Sequence, residues 1–334
     1  MKRSILGLLA CPECKGELSL EVTKEKDGDV IEGAFSCSAC GKEYVITNHI
    51  PRFVPSDMYV ESFSFEWSKF RKTQLDSHSK LNQSYTSLTR TIGIKPSDLA
   101  GEVVLDAGCG TGRHIEVAAP HAKQVIGVDL SQSVDIAQEL VGANKNVNIL
   151  QADLNKLPFK DEVFDRIYSI GVIQHTPDTK QSFLDLTTYL KKGGSITIWI
   201  ITDQGLLNRL QKPFYSLYRF LGTRLPHKIV YGLCHLAVPI YWIFKVFPPI
   251  IIPFPIARHP TGKQRILDTF DIYTPKYLNK HSAEEAVGWY EGAGFSDVKV
   301  TIGGKDAVGK KLSLGPLGTI QVTIENPAIT GQKP

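Results

Sequence analysis

Residues Val103 to Gly112, VVLDAGCGTG, constrain this chain more than any other stretch. Val103-Val104-Leu105 is a short apolar run that predicts a buried parallel strand. Asp106 follows, and then Gly108, Gly110 and Gly112 alternate with small residues. Glycines let a backbone turn sharply and approach a ligand closely. A helix beginning near Arg113 would point its N-terminal end at whatever is bound. A tight strand-to-helix turn needs one glycine or two, not three plus an acid. The spacing also departs from the dinucleotide pattern G-x-G-x-x-G, because Arg113 stands where that pattern has its last glycine.

Further stations follow in order. Val125 to Asp129 reads as a second apolar strand ending in an acid, roughly twenty residues past the first glycine, where a ribose-binding carboxylate is expected. Such a carboxylate accepts from both ribose hydroxyls and repels a phosphate. Val147 to Asp153 (VNILQAD) ends in an acid again, with Leu154 next and Leu157-Pro158-Phe159 close behind. Phe164 to Ile170 predicts a fourth strand leading into Gly171-Val172-Ile173-Gln174-His175-Thr176. Tyr189 to Gly194 then ends a helix ahead of a strand from Ser195 to Ile201.

From Gly101 to about Ile201 these stations resemble the class I S-adenosylmethionine-dependent methyltransferases, of the type found in ubiquinone and menaquinone biosynthesis. The resemblance implies an α/β fold with a Rossmann-like seven-stranded sheet and S-adenosyl-L-methionine as co-substrate. It implies that Asp106, Ala107, Gly108, Cys109, Gly110 and Gly112 lie against the methionine part. Asp129 and Leu130 would serve the ribose, and Asp153 and Leu154 the adenine.

Four of the six cysteines form Cys11-Pro-Glu-Cys14 and Cys37-Ser-Ala-Cys40, two C-x-x-C knuckles separated by 22 residues. Four thiolates converging from two knuckles match a tetrahedral zinc site, with Gly16 and Gly41 permitting the turns. Four sulfur ligands leave no open position, so the zinc would be structural. This segment, with Asn48-His49-Ile50-Pro51-Arg52-Phe53, resembles the small zinc-ribbon proteins that activate methyltransferases of tRNA and translation factors, here fused ahead of a catalytic domain. Met1-Lys2-Arg3 and the apolar residues up to Cys11 mimic a lipoprotein signal, but the stretch falls short of the roughly 7–15 residues required. A short helix on the ribbon is expected instead, without cleavage, in a cytoplasmic protein.

With 334 residues and 42% hydrophobic composition the chain can build one sizeable α/β core and smaller appendages. Its 38 basic and 34 acidic residues do not demand nucleic acid. Gln204 to Leu267 is different, with nine basic residues, no acid, and the apolar run Leu236 to Ile256. Lys245 and five prolines inside that run argue against a membrane span. Three readings stand: a lid over a hydrophobic or lipid-like acceptor that also lies peripherally on an anionic membrane surface, a binder of RNA phosphates and bases, or a plain helical cap. Composition favours the lid over RNA, because Ile250-Ile251-Ile252 serves no RNA surface.

The expected division is a zinc ribbon over 1–55, a helical linker covering the cofactor over 56–100, a methyltransferase domain from 101–203 and 266–326, and the inserted lid over 204–265. In the linker, Phe63, Trp67 and Phe70 suit one helix face; Arg71, Lys72 and Gln74 are candidate pocket residues. A capping box at Ser282 and Glu285 starts the next helix. Val298-Lys299-Val300 and Thr319 to Ile324 are expected to pair as the closing hairpin, with a frayed tail after Asn326. This ending resembles a group of bacterial and archaeal methyltransferases that combine the ribbon with the Phe63 to Asp76 and Asp268 to Tyr277 elements.

Methyl transfer from a sulfonium is an in-line displacement that rests on positioning, with a base where the acceptor is a hydroxyl, phenol or carbon. His175, past the fourth strand, is the candidate base, and a loop-holding histidine is the equal alternative. His281, Tyr273 and Asp271 rank behind it. The acceptor is read as a small hydrophobic or membrane-associated molecule; the alternative is tRNA or protein recognised through the ribbon. No sequence signature speaks to oligomeric state.

Overall fold

The computed structural model describes residues 1–54, 60–202, 215–246, 256–257, 261–302, 310–313, 319–322 and 328–334. The first segment is a four-stranded antiparallel sheet of β1 (Leu18–Lys26), β2 (Asp29–Cys37), β3 (Glu43–Thr47) and β4 (Ile50–Pro51), joined in sequence order. Asp27-Gly28 and Asn48-His49 make its two-residue turns. All four take positive φ, the geometry that matches the twist of a hairpin. The short N-terminal helix is a 3-10 turn, Arg3–Leu8, that buries Ile5.

The main sheet contains β5 (Val103–Ala107), β6 (Gln124–Asp129), β7 (Val147–Gln151), β8 (Phe164–Ile170), β9 (Leu190–Trp199), β10 (Ser296–Ile302) and, last in the chain, β13 (Ala328–Gln332). Its order is β10-β13-β9-β8-β5-β6-β7. β9, β8, β5, β6 and β7 run parallel, and β13 lies antiparallel between β9 and β10. This is the expected seven-stranded Rossmann-like architecture. Buried on both faces, β5 and β7 are continuously shielded. The amino ends of the strands are clamped by charge: Arg166 forks onto Glu102 at 2.7 and 2.9 Å, and Lys191 reaches Asp165 at 2.8 Å.

Two expectations fail at the sheet's end. β9 begins at Leu190, not Ser195, with a register shift opposite Phe164 and Arg166. Thr319 to Val322 is indeed a strand, β12, but it pairs with β11 (Lys310–Ser313) in a separate two-stranded sheet. The partner of β10 is β13, which lies in the stretch expected to fray. Tyr290 selects it: the phenol donates to the Ile329 carbonyl at 2.8 Å, and a Cβ on Gly331 would stand 2.6 Å from its ring. The helix Ala283–Gly292 holds that tyrosine and starts as foreseen, Ser282 Oγ accepting from the Glu285 N–H at 3.1 Å.

The ribbon docks on the open edge of β7. The Phe53 N–H donates to the Gln151 carbonyl at 2.8 Å, and Arg52 reaches Gln151 Oε1 at 2.7 Å and Asp135 at 2.6 Å. On the far side the Ala10 N–H donates to Pro158 O at 3.0 Å, and the Lys160 N–H to Leu8 O at 2.8 Å. One apolar core runs through both parts, joining Ile5, Phe35 and Phe53 to Phe159, Phe164 and Ile167.

The insert supplies helices His227–Cys234 and Ala237–Val246, followed by Gly262–Tyr273. They bury Val230, Cys234, Leu267 and Phe270 against Phe65, Trp67 and Phe70 of the preceding linker. Phe65 stands 5.6 Å from Phe270, and Phe70 stands 6.0 Å from Tyr231. Two of the basic residues are structural. Arg219 donates to the carbonyls of Ile272 and Pro275, while buried Arg265 stacks on Tyr241 at 3.7 Å. Among the described residues no helix is long and apolar enough to cross a membrane. Arg209, Lys212, Arg258 and most of the apolar run from 247 to 255 lie outside the described residues.

Because the ribbon and the sheet share one core, a single unfolding transition is expected. Phe159→Ala, at a fully buried position, should lower unfolding free energy by about 3–5 kcal/mol. Denaturant melts followed by fluorescence and circular dichroism check both; separate transitions for ribbon and sheet would refute the shared core.

Candidate functional site

The two knuckles fold alike. The Lys15 N–H donates to Cys11 O and the Gly41 N–H to Cys37 O, each at 2.9 Å, so each loop folds back behind its cysteine pair. The four sulfurs lie within 4.8 Å of one another, with Cys11 to Cys40 at 3.7 Å and Cys14 to Cys37 at 3.5 Å. Zinc–sulfur bonds of about 2.3 Å would place tetrahedral sulfurs about 3.8 Å apart, so the set fits such an ion. Gly16 is needed for space, since a Cβ there would meet Ala39 at 2.8 Å.

At the carboxyl end of β5 the glycine turn is closely fitted. The Gly108 and Cys109 N–H groups both donate to the Val128 carbonyl, at 2.7 and 2.9 Å. Gly108 has φ +92°, and a Cβ there would lie 2.3 Å from Val172. Gly110 faces the Trp67 ring, which a Cβ would approach to 3.6 Å, and Gly112 caps the helix Arg113–Ala118. The linker helix Glu61–Lys69 thus covers the turn, and the Gln132 N–H donates to its Ser64 Oγ at 3.1 Å.

The three predicted acids lie at the carboxyl ends of adjacent strands. Asp106 is buried, and its Oδ2 has no hydrogen-bond partner. Burial, reinforced by Asp129, pushes its carboxyl up to about 8, against the pull of Arg113. Ala107 and Cys109 are buried beside it. Asp129 does more than end β6: its Oδ2 accepts from the Gly110 N–H at 2.9 Å, and its Oδ1 from the Ser131 N–H and hydroxyl at 2.8 and 2.7 Å. The carbonyl of Leu130 accepts from Gln151 at 3.0 Å. Asp153 caps the turn Leu154–Lys156 through the Asn155 N–H at 2.9 Å, and Leu154 is buried.

His175 sits beyond β8 in a nearly closed setting. Its Nδ1 lies 3.0 Å from the Tyr277 carbonyl, and Phe63 meets its ring edge-on at 5.2 Å. A carbonyl only accepts, so Nδ1 carries the proton and Nε2 keeps its lone pair. Burial holds its pKa below the ordinary value, against the opposing pull of Asp271. His281 is engaged by Glu285 at 2.9 Å and by the Trp289 ring. Arg71 pairs with Glu139 at the surface, and Lys72 is exposed, so neither reaches the interior.

Sequence reasoning passed over Glu66 and Asp268, which the structure brings to this end of the sheet with Asp271 and Arg113. The missed signal was in the linker helix: Phe63, Glu66, Trp67 and Phe70 occupy one helix face, and its acid was overlooked among aromatics.

Residues 105–198 match the family model described as a methyltransferase domain, and residues 2–48 match that of the Trm112p-like proteins. O-methyltransferase rstn1 of Aspergillus nomiae is 33% identical over 139 residues, covering 40% of this chain and 62% of that protein. Sterol 24-C-methyltransferase ERG6B of Gibberella zeae is 32% identical over 123 residues, 35% of this chain and 31% of that protein. The tRNA U34 carboxymethyltransferase of Marinobacter nauticus is 33% identical over 113 residues, 33% of this chain and 34% of that protein. The chain spans less than two thirds of the length of each. A chain in the complex between the Haloferax volcanii Trm112 methyltransferase activator and a methyltransferase aligns at 11% identity and TM-score 0.48, covering 81% of this chain and 97% of that one.

The fit of Gly108 against Val172 yields a direct test. Gly108→Ala should destabilise the fold by about 2–4 kcal/mol through left-handed strain and overlap. Adding Val172→Ala should restore part of that loss in thermal melts; no rescue would show that the contact is not the cause.

Proposed function

We propose that this chain, which carries the domain of an S-adenosylmethionine-dependent methyltransferase behind a Trm112p-like ribbon, methylates a small apolar acceptor held beneath its lid. In this reading residues 1–55 form the ribbon, 56–100 the cover, 204–265 the lid, and 101–203 with 266–326 the catalytic domain, to which β13 (Ala328–Gln332) is added beyond the expected bound.

The observation that carries the co-substrate half is the orphaned oxygen of Asp106 beside a turn whose residues 108, 110 and 112 bring bare backbone to the end of β5. An ammonium and a backbone-close ligand suit that combination, and the donor set fits S-adenosylmethionine. Asp106 would take the ligand's ammonium, with Ala107, Gly108, Cys109, Gly110 and Gly112 against its methionine part. Asp129 and Leu130 would flank the ribose, and Asp153 and Leu154 the adenine. When bound, S-adenosylmethionine supplies a sulfonium methyl to an in-line nucleophile. The chain's own residues then orient the acceptor, exclude water and receive the acceptor's proton. His175 Nε2 suits the last task, since it is unprotonated at neutral pH.

The acceptor half is supported by the lid. Its inner side is aromatic and aliphatic, and Leu217, Phe220, Ile229, Leu233 and Trp242 stay exposed among Arg224 and Lys228. An apolar, basic surface of this kind suits an apolar molecule or an anionic lipid surface as its source. The four ribbon cysteines would hold a structural zinc.

Methyl-labelled S-adenosylmethionine incubated with the protein and cell extract should place label in the organic-extractable small-molecule fraction. Label confined to RNA or protein would overturn the acceptor reading in favour of a macromolecular substrate. His175→Ala should reduce turnover by about 10²–10⁴-fold. Because burial lowers the His175 pKa, the base form persists below the ordinary value. Turnover should therefore be flat from alkaline pH down to neutrality and fall only in the acid range, a limb that His175→Ala removes. Metal analysis should find one zinc per chain, lost in Cys11→Ser, and chelation should lower the melting temperature; metal-free protein of unchanged stability would exclude a structural ion.

A further inference from the structure

Three carboxyls, Glu66 buried and Asp268 and Asp271 half-buried, lie between the glycine turn and the lid. Glu66, on the linker helix Glu61–Lys69, is 2% exposed, yet its Oε2 has no hydrogen-bond partner. From the helix Gly262–Tyr273, which leads from the lid back into the catalytic domain, come Asp268 and Asp271, three residues apart and so on one face. Asp271 Oδ1 is likewise shut off from solvent and unpartnered. The two helices pack directly, as the contact between Phe65 and Phe270 shows.

The charges here do not balance. Glu66 faces Asp271 and Asp268 as like charges and Arg113 as its opposite. Asp271 also faces His175 and Arg219, and Arg113 is shared with Asp106 and Asp76. Burial, and then mutual repulsion, raises Glu66 far above the usual carboxylate range, and burial with the nearby Asp271 brings Asp268 up to about 6. Unpaired buried carboxylates are costly, and close ones cannot all ionise without a cation between them. Two orphaned oxygens reaching inward from different elements therefore mark a place for a positively charged or N–H-donating group.

Location narrows the ligand. Trp67, the neighbour of Glu66, lies over Gly110, and His175 beyond β8 faces Asp271. The carboxyls thus stand over the carboxyl ends of β5 and β8, beside the turn assigned above to the methionine part. We propose that Glu66 and Asp271 form an ammonium subsite at the methyl-transfer position, and that the acceptor presents an amine nitrogen there. The ammonium gives one proton to His175 Nε2, and the freed lone pair takes the methyl as the sulfur–carbon bond breaks and the thioether leaves. The lid holds the apolar body of such an acceptor, and the carboxyls hold its head. This rests on the reading that the glycine turn binds S-adenosylmethionine.

The test needs no acceptor. Sinefungin resembles S-adenosylhomocysteine but carries an amine-bearing carbon in place of the sulfur, so its ammonium probes the methyl position. By titration calorimetry the wild-type chain should bind sinefungin about tenfold or more tightly than S-adenosylhomocysteine, as charge-assisted hydrogen bonds require. Glu66→Gln and Asp271→Asn, alone and together, should collapse that preference while leaving S-adenosylhomocysteine affinity within about twofold, which also reports that the variants fold. Equal affinities in the wild type, or a preference that survives both substitutions, would overturn the subsite and leave the co-substrate reading intact. A wild-type chain that binds neither ligand would overturn both.

Discussion

The reversal of strand order between β5 and β8 is the constraint on which this molecule's chemistry depends. The two strands are parallel neighbours, but the chain leaves β5 toward β6 on one side and β8 toward β9 on the other. A crevice opens at their carboxyl ends, the place where open α/β sheets bind ligands. Gly108 and Val172 form its floor, so closely fitted that no side chain fits at the glycine. Polar satisfaction is uneven along the strands. Arg166, Glu102, Asp165 and Lys191 close the amino ends with well-made ion pairs, while Asp106, Tyr168 and Gln174 keep buried, unmatched atoms toward the other. A fold stabilised at one end can tolerate unsatisfied groups at the other.

Much of this was legible in the chain because it is local. The glycine turn, the acids at the ends of β5, β6 and β7 and the paired cysteines each declare themselves within about ten residues, the range over which turn chemistry and strand patterning act. What escaped was non-local. Ala328 to Gln332 reads AITGQ, too short and polar to announce a central strand. It is one because Tyr290 and β9 accept it. Thr319 to Val322 carries the better strand pattern and pairs elsewhere. Glu66 was hidden by its company, since an acid in an aromatic stripe reads as a solvated position until the lid is seen above it.

In the insert, the number of charges and the work they do differ. An acid-free stretch with nine basic residues looks like a surface for anions. Arg219 instead ties the lid to the carbonyls of Ile272 and Pro275, and Arg265 lies flat on Tyr241 inside it. These guanidiniums act as cross-braces among helices. The acids that the stretch lacks begin immediately after it, at Asp268 and Asp271, on the side of the lid that faces the crevice.

The junction between ribbon and β7 has a further consequence. Phe53, Arg52 and Ala10 make contacts of the kind that two separate proteins could form, yet here both surfaces belong to one polypeptide. Association is then intramolecular, with an effective concentration in the millimolar range for a short tether. The joined state is therefore insensitive to dilution. Its one-to-one stoichiometry is written into the chain.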